Sequence, residues 1–212
     1  MKLREDIRNF IESIPSDVSI VAATKYVGPK EMIELYQNGI KDFGENRVDA
    51  FLEKYDALKD YDINWHFIGH LQRNKAKLII NKIDFLHSLD SLELAKIINN
   101  NRNKPLDCFI EVSINLEENK NGVDFNNINS FIEEVLKYEN INVVGLMMMT
   151  VKYSNSSELS DQFNKLSKLK RKIEEDFNIR IPYLSMGMSD DYKEAIQEGA
   201  THIRLGRILW TN

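Results

Sequence analysis

With one cysteine, Cys108, in 212 residues, no disulfide can form within this chain. Cys108 sits in the apolar run Leu106-Asp107-Cys108-Phe109-Ile110, so it is expected to be a small core residue in a reducing compartment. No stretch approaches 18 uninterrupted apolar residues, which excludes a helical membrane span. The N-terminus, Met1-Lys2-Leu3-Arg4-Glu5-Asp6, carries acids and no apolar core, so it is not a secretory signal. An excess of positive charge is also lacking. Against 28 Lys and Arg stand 33 Asp and Glu, for a net charge of −5, and a nucleic-acid partner would call for a basic patch. Mixed runs such as Glu117-Glu118-Asn119-Lys120 and Lys168–Glu175 read as solvated surface. No P-loop, dinucleotide fingerprint or Ser/His/Asp arrangement is visible. His66 and His70 have no metal-ligand spacing to a further His, Cys or Asp. A cytoplasmic soluble protein is the default expectation.

Hydrophobic residues make up 42% of the chain, enough for a sizeable core. Eight β-rich runs are predicted: Ser19–Thr24, Lys41–Phe43, Asn64–Ile68, Phe85–Ser88, Asp107–Ile114, Val143–Met149, Tyr183–Ser185 and His202–Leu205. Helical patterns fall between them at Lys30–Gln37, Arg47–Lys59, Arg73–Asn81, Leu92–Asn101, Ile128–Lys137, Glu158–Asp176 and Asp191–Glu198. In the sixth of these, Leu159, Phe163, Leu166, Leu169 and Ile173 recur at spacings of three and four and define one helix face. Ser91 and Ser189 are candidate N-caps. Strand–helix alternation calls for a parallel sheet, and eight units call for an α/β fold of the (β/α)₈ TIM-barrel type, in one unit over residues 1–212. No eighth outer helix follows the last strand, and an N-terminal helix near Leu3–Ile14 is expected to take its place. A doubly wound open sheet is the alternative, but it would usually show a glycine-rich turn after the first strand, where this chain has Lys25. Residues 152–157 read as a loop.

Lys25 ends the run Ser19-Ile20-Val21-Ala22-Ala23-Thr24 and is followed by Gly28-Pro29. A lysine at the end of a buried strand is expected to be partly desolvated, which favours the free amine and Schiff-base chemistry with a carbonyl compound. Alone, such a lysine is more often a snorkelling surface cation. In barrels, phosphate commonly binds at the loops after strands 7 and 8. Here those loops are Ser185-Met186-Gly187-Met188-Ser189-Asp190-Asp191, opening a helix, and Gly206-Arg207. Small residues and hydroxyls admit an anion there, and Asp190 and Asp191 are expected to point away from it. Alternation sends His202 and Arg204 to one side of the last strand and Ile203 and Leu205 to the other. Arg204 needs a partner, either a carboxylate such as Glu45 or a ligand atom. Asn46, in Phe43-Gly44-Glu45-Asn46-Arg47, suits an N-cap or a ligand ring oxygen. His66 reads as a hydrogen-bonded core histidine, and Met147, Met148 and Met149 as core or an apolar wall.

Val21-Ala22-Ala23-Thr24-Lys25, Phe43-Gly44-Glu45-Asn46-Arg47, Trp65-His66-Phe67-Ile68-Gly69 with Leu71-Gln72 and Asn74-Lys75, Gly145-Leu146-Met147, Leu184-Ser185-Met186-Gly187-Met188-Ser189-Asp190-Asp191 and Arg204-Leu205-Gly206 run in order across nearly the whole chain. Together they resemble the pyridoxal phosphate (PLP) homeostasis protein family. The resemblance implies a barrel like the N-terminal domain of alanine racemase, with PLP held as a Schiff base on Lys25. It further implies that Ser185, Gly187, Ser189, Gly206 and Arg207 surround the phosphate, that Arg204 faces the pyridine nitrogen, and that Asn46 lies near the ring. His66 and Met147 would be further pocket members. His70, the stretch Gly145-Leu146-Met147-Met148-Met149-Thr150 (in place of a small-residue and proline continuation) and Arg207 depart from the commoner family residues, so Arg207 would bring a charge where a hydroxyl is usual.

The resemblance implies PLP supply and no established catalysis. An arginine at the pyridine nitrogen cannot give up its proton to it, which leaves the ring a poorer electron sink. The second base of the related racemases comes from an additional domain for which this chain shows no segment. A PLP carrier serving PLP-dependent apo-enzymes, as monomer or weak dimer, is the first expectation. A weak PLP-dependent amino-acid racemase is the second, and an aldolase-type lyase using Lys25 on a sugar phosphate the third.

Overall fold

Eight parallel strands close on themselves in the computed structural model, which describes residues 1–114, 121–151 and 153–211. They are β1 (Ser19–Ala23), β2 (Asp42–Glu45), β3 (Asn64–Phe67), β4 (Phe85–Leu89), β5 (Leu106–Ser113), β6 (Ile141–Met147), β7 (Tyr183–Ser185) and β8 (His202–Leu205). Each pairs with the next in chain order, and β8 returns to β1 with His202 opposite Ser19 and Leu205 opposite Ala22. The closed TIM barrel expected from the alternation is therefore present, and the open-sheet alternative falls.

Seven helices follow the first seven strands: α2 (Pro29–Gln37), α3 (Val48–Ala57), α4 (Arg73–Ile79), α5 (Leu92–Asn101), α6 (Ile128–Val135), α7 (Ser156–Phe177) and α8 (Tyr192–Gln197). The eighth position is filled from the N-terminal side by α1 (Ile7–Glu12). Its Phe10 meets Tyr192 of α8 edge-on at 6.0 Å, and its Arg8 donates to Asn38 at the end of α2 at 3.1 Å. Short strands at Lys2–Leu3 and Trp210–Thr211 pair antiparallel and close the ring.

Period-2 alternation sorts the strand residues into two environments. Outward residues such as Phe43, Phe67, Leu86, Ile110, Leu146 and Ile203 pack under the helices with Leu35, Phe51, Phe163 and Leu166, all essentially solvent-free. Each such side chain contributes roughly 1.5–3 kcal/mol of apolar burial. Inward residues are different: Phe109, Val144 and Met147 form a small separate cluster, beside His66, His87 and His202. Cys108 is buried and free, as expected.

Helix boundaries follow local chemistry. A capping box between Asn155 and Glu158 starts α7 earlier than its apolar stripe indicates. Ser91 caps α5 through Leu94 N. β6 starts and ends two residues before the expected 143–149. In the mixed-charge run on α7, Lys168, Arg171, Lys172 and Glu175 are exposed. The charged run 117–120, and Lys152 of the expected loop, lie outside the described residues.

Candidate functional site

At the C-terminal ends of β1, β2 and β8 lies a cavity of about 520 Å³. Lys25, Asn46, Ser189, Arg204, Gly206 and Arg207 line it, with Tyr26, Ile68, Met149, Met188 and Trp210 as its apolar wall. A larger hollow of about 680 Å³ lies over the ends of β3 and β4 around His70, Arg73 and Asp90. Its charges are spent on neighbours, His70 on Asp90 at 3.0 Å and Arg73 on Glu93 at 3.4 Å, so the smaller cavity is the better candidate.

Lys25 stands in the turn just past β1 and is exposed. This corrects the expectation of a desolvated stem, because β1 ends two residues earlier at Ala23 and the chain has already reached solvent. Among the described residues its ammonium makes no hydrogen bond or ion pair; it lies 4.4 Å from the ring centre of Tyr26. The turn itself is clamped from below. Buried Glu45 accepts from Thr24 Oγ1 at 2.9 Å and from Asn46 N at 3.1 Å, and pairs with Lys54 of α3. Lys54 also donates to the Thr24 carbonyl at 2.7 Å. One buried ion pair thus fixes the backbone just before Lys25 and at Asn46.

That pair also corrects the assignment of Glu45 to Arg204. Arg204 donates to Ser185 Oγ at 2.6 Å and to the Met148 carbonyl at 2.8 Å. Burial pulls its guanidinium down to about 10, while Glu111 and Asp191 act in the opposite sense. It stays charged at neutral pH with N–H groups to spare, since only two of roughly five are used.

Asn46 does not cap α3. The cap position is Arg47, and no side chain bonds there. Instead Asn46 Oδ1 is the one buried side-chain polar atom without a hydrogen-bond partner among the described residues. Gly69 packs against it so tightly that an added Cβ would stand 2.6 Å from Asn46 Cα.

Ser189 is not an N-cap either. Its hydroxyl oxygen accepts from Gly206 N at 3.3 Å and Ile208 N at 3.4 Å, stitching the two loops together. Its own proton stays available to an anion. Gly187 adopts φ +91°, and a Cβ there would meet Ala195 Cβ at 2.6 Å, so the turn needs glycine to lie on α8. Asp191 points away as expected, bonded to Thr150 Oγ1 at 2.8 Å and Met188 N at 2.5 Å. Asp190 does not: it lines the cavity and pairs with Arg207.

Four predicted site residues lie outside the cavity lining. Gly187 is the buried turn behind the Met188-Ser189 wall. Met147 is packed with Phe109 and Val144. Ser185 and His66 are fully buried within the barrel. Met148 is buried too, whereas Met149 is exposed on the cavity wall. Sequence reasoning passed over Lys54 and His87. Lys54 carries no local signal, being brought to Glu45 by one turn of helix packing. His87 could have been found from its inward place on β4.

Buried titratable groups surround Arg204. Burial, with Asp90 adding and Arg204 opposing, pushes Glu111 up to about 7. Burial and the neighbouring His66 pull His202 down to about 4, with Asp42 opposing and Arg204 adding. Among the described residues no group of three His, Cys, Asp or Glu is arranged to hold a metal ion.

The cavity therefore offers a free amine, an unbonded carbonyl oxygen, a serine proton and two arginines at the mouth of a parallel barrel. This is the class of barrel described as the alanine racemase N-terminal domain, whose family pattern matches residues 1–211. A pyridoxal phosphate homeostasis protein of Aquifex aeolicus is 42% identical over 194 residues, covering 90% of this chain and 85% of that protein. The chain belongs to the pyridoxal phosphate homeostasis protein family. PipY of Synechococcus elongatus superposes with a TM-score of 0.93 without PLP (28% identical) and 0.89 with PLP bound (27% identical). In both cases 98% of this chain and 99% of that one are covered. The likeness extends in fold alone to an alanine racemase of Clostridium difficile, at TM-score 0.73 and 17% identity, where this chain spans 58% of the other. No helix among the described residues is long and apolar enough to cross a membrane.

Proposed function

We propose that this protein binds PLP in the cavity at the ends of β1, β2 and β8, with Lys25 as the covalent partner, and serves cytoplasmic PLP homeostasis by carriage without catalysis. The observation that carries this reading is Lys25: an amine without an ion pair among the described residues, held at the cavity mouth by the buried Glu45–Lys54 clamp beneath it. The donor set suits the group. Arg204 can donate to the pyridine nitrogen. The unbonded Asn46 Oδ1 can accept from a ring hydroxyl, which needs a proton donor opposite. Ser189, Gly206 and Arg207 serve the phosphate, with the Gly187 turn holding that loop in place. Ser185, His66 and Met147 support the site from behind. Bound there, PLP supplies an aldehyde that condenses with amines and a ring able to accept electrons.

Carriage is favoured over turnover by Arg204. A guanidinium donates to the ring nitrogen but does not protonate it, which weakens the ring as an electron sink. The exposure of Lys25 serves release, since an incoming amine can reach it from solvent and pass the cofactor to an apo-enzyme. The test is the visible absorption spectrum of purified protein before and after borohydride, followed by mapping of the reduced adduct. A band lost on reduction, with the pyridoxyl mass on Lys25 and none in Lys25→Ala, supports the reading. A protein that neither carries nor takes up PLP overturns it. Single-enantiomer alanine turnover that vanishes in Lys25→Ala would overturn the carrier assignment in favour of the racemase.

A further inference from the structure

Three of the four histidines stand inside the barrel, on β3, β4 and β8. Two of them belong to a continuous hydrogen-bonded file. Asp42 Oδ1, at the N-terminal end of β2, lies 3.0 Å from His66 Nε2. His66 Nδ1 lies 2.8 Å from His87 Nε2, and His87 Nδ1 lies 2.8 Å from Ser185 Oγ. Ser185 Oγ then receives Arg204 Nη1 at 2.6 Å. Aromatic faces wall the file: His66 stacks on Phe85 at 4.6 Å and His87 on Phe109 at 4.3 Å. The Asp42 side chain is 24% exposed, while His66, His87 and Ser185 are solvent-free. The file thus runs from the N-terminal mouth of the barrel to the guanidinium lining the cavity at the other end.

Its proton order follows from donor and acceptor counting. Arg204 can only donate, and among the described residues His87 Nδ1 is the one acceptor bonded to the Ser185 hydroxyl, so Ser185 turns its proton there. His87 Nδ1 is then bare, and its proton sits on Nε2 and points to His66 Nδ1. His66 in turn carries its proton on Nε2, facing the Asp42 carboxylate. Every hydrogen points from the arginine toward the aspartate, and both rings are neutral. The surroundings agree. Burial first, and then the neighbourhood of His66, His202 and the Arg204 guanidinium, which would repel a charge on the ring, holds His87 well below the usual histidine range. Burial works against ionisation of Asp42, but the hydrogen bonds from His66 and Asn64 keep its carboxyl below the usual carboxylate range.

We propose that Asp42, His66, His87 and Ser185 form one polarised relay that positions Arg204 for the cofactor ring, so that the PLP site is tuned from the opposite mouth of the barrel. All four are positioning residues, none of which lines the cavity. The inference rests on the PLP reading above, with Arg204 serving the ring nitrogen.

The test compares PLP with its 1-deaza analogue, which lacks the ring nitrogen but keeps aldehyde, hydroxyl and phosphate. Dissociation constants are measured by absorbance for the wild-type protein, Ser185→Ala and Asp42→Asn. Asp42→Asn keeps an acceptor for His66 and removes only the charge. Loss of one buried hydrogen bond is worth about five- to tenfold in affinity. PLP binding should weaken by about that factor in Ser185→Ala and about threefold in Asp42→Asn, while the deaza analogue binds all three proteins alike. Equal weakening of both ligands marks a purely structural role and overturns the relay; so does unchanged PLP affinity in both variants. Failure of the wild-type protein to bind PLP, or equal wild-type affinity for the two ligands, overturns the underlying reading instead. An independent measurement needs no cofactor: ¹⁵N resonances of His66 and His87 should report two neutral rings protonated at Nε2. A charged ring, or one protonated at Nδ1, overturns the proton order and with it the relay.

Discussion

The mouth of the barrel and its interior are built from the same strands, yet they treat polar atoms in opposite ways. Inside, Asp42, His66, His87 and Ser185 have their hydrogen-bonding atoms matched to one another within 3.0 Å. At the mouth, among the described residues, Lys25 has only a ring contact and Asn46 Oδ1 is buried without a partner. Unmatched buried polarity costs about 1–3 kcal/mol per group. That contrast is what the proposed PLP site would use, since the unbonded oxygen is free to accept from a ligand. Polarity inside the barrel supports and orients, whereas polarity at the mouth is held in reserve.

The most severe way to break this arrangement is in the interior packing. A Cβ on Gly145 of β6 would overlap the Tyr183 carbonyl of β7. Gly145→Ala should cost about 3 kcal/mol or more, seen as a collapse of the urea midpoint, with the cavity lost along with the fold. A comparable effect is concealed in the pH profile. His202, at about 4 in the folded state against 6.5 ordinarily, makes stability fall as pH drops from 6.5 to 4, by about 3 kcal/mol in all. His87 acts in the same sense. Glu111, raised from 4.5 to about 7, acts oppositely, its contribution being lost as pH rises through 7. The two nearly offset each other between pH 4.5 and 6.5. Glu111→Gln should steepen acid destabilisation and His202→Asn should flatten it, as read from thermal midpoints at pH 7 and pH 5.

The mouth should respond with the signs reversed. Asn46→Ala removes an unbonded buried oxygen, so stability should hold or rise by about 1 kcal/mol while PLP affinity falls about tenfold. A matching loss of both would show that Asn46 belongs with the structural polarity. The smallest effect is expected at Asp190, whose pair with Arg207 leaves their side chains 80% and 71% exposed. Asp190→Asn should leave stability within about 0.5 kcal/mol and strengthen phosphate affinity about twofold by freeing Arg207.

The barrel was legible because its strands announce themselves by period and its helices by apolar stripes. Tyr183–Ser185, His202–Leu205 and Leu92–Asn101 fall where the pattern places them. The misreadings share one cause. Asn46 and Ser189 have the right type and position for caps, but their side chains answer to groups far along the chain. Ser189 bonds to Gly206 and Ile208, and Asn46 is turned against Gly69. Arg204 needed a partner, and Glu45 was the available carboxylate. Nothing local reveals that Lys54 reaches Glu45 first, because that meeting depends on how α3 lies on β2. The His66–His87 bond is likewise a product of barrel closure. Local pattern predicts which way a side chain points, and closure decides what it meets.

Lys2–Leu3 and Trp210–Thr211 are joined as neighbouring strands, and Met1 and Trp210 both reach the cavity wall. During synthesis, then, the cavity has no complete wall until residue 210 has left the ribosome, long after Lys25 has emerged. On the proposed role for Lys25, a nascent chain would expose that amine before it could enclose an aldehyde around it. That role would defer loading until the whole barrel exists to hold what it has taken up.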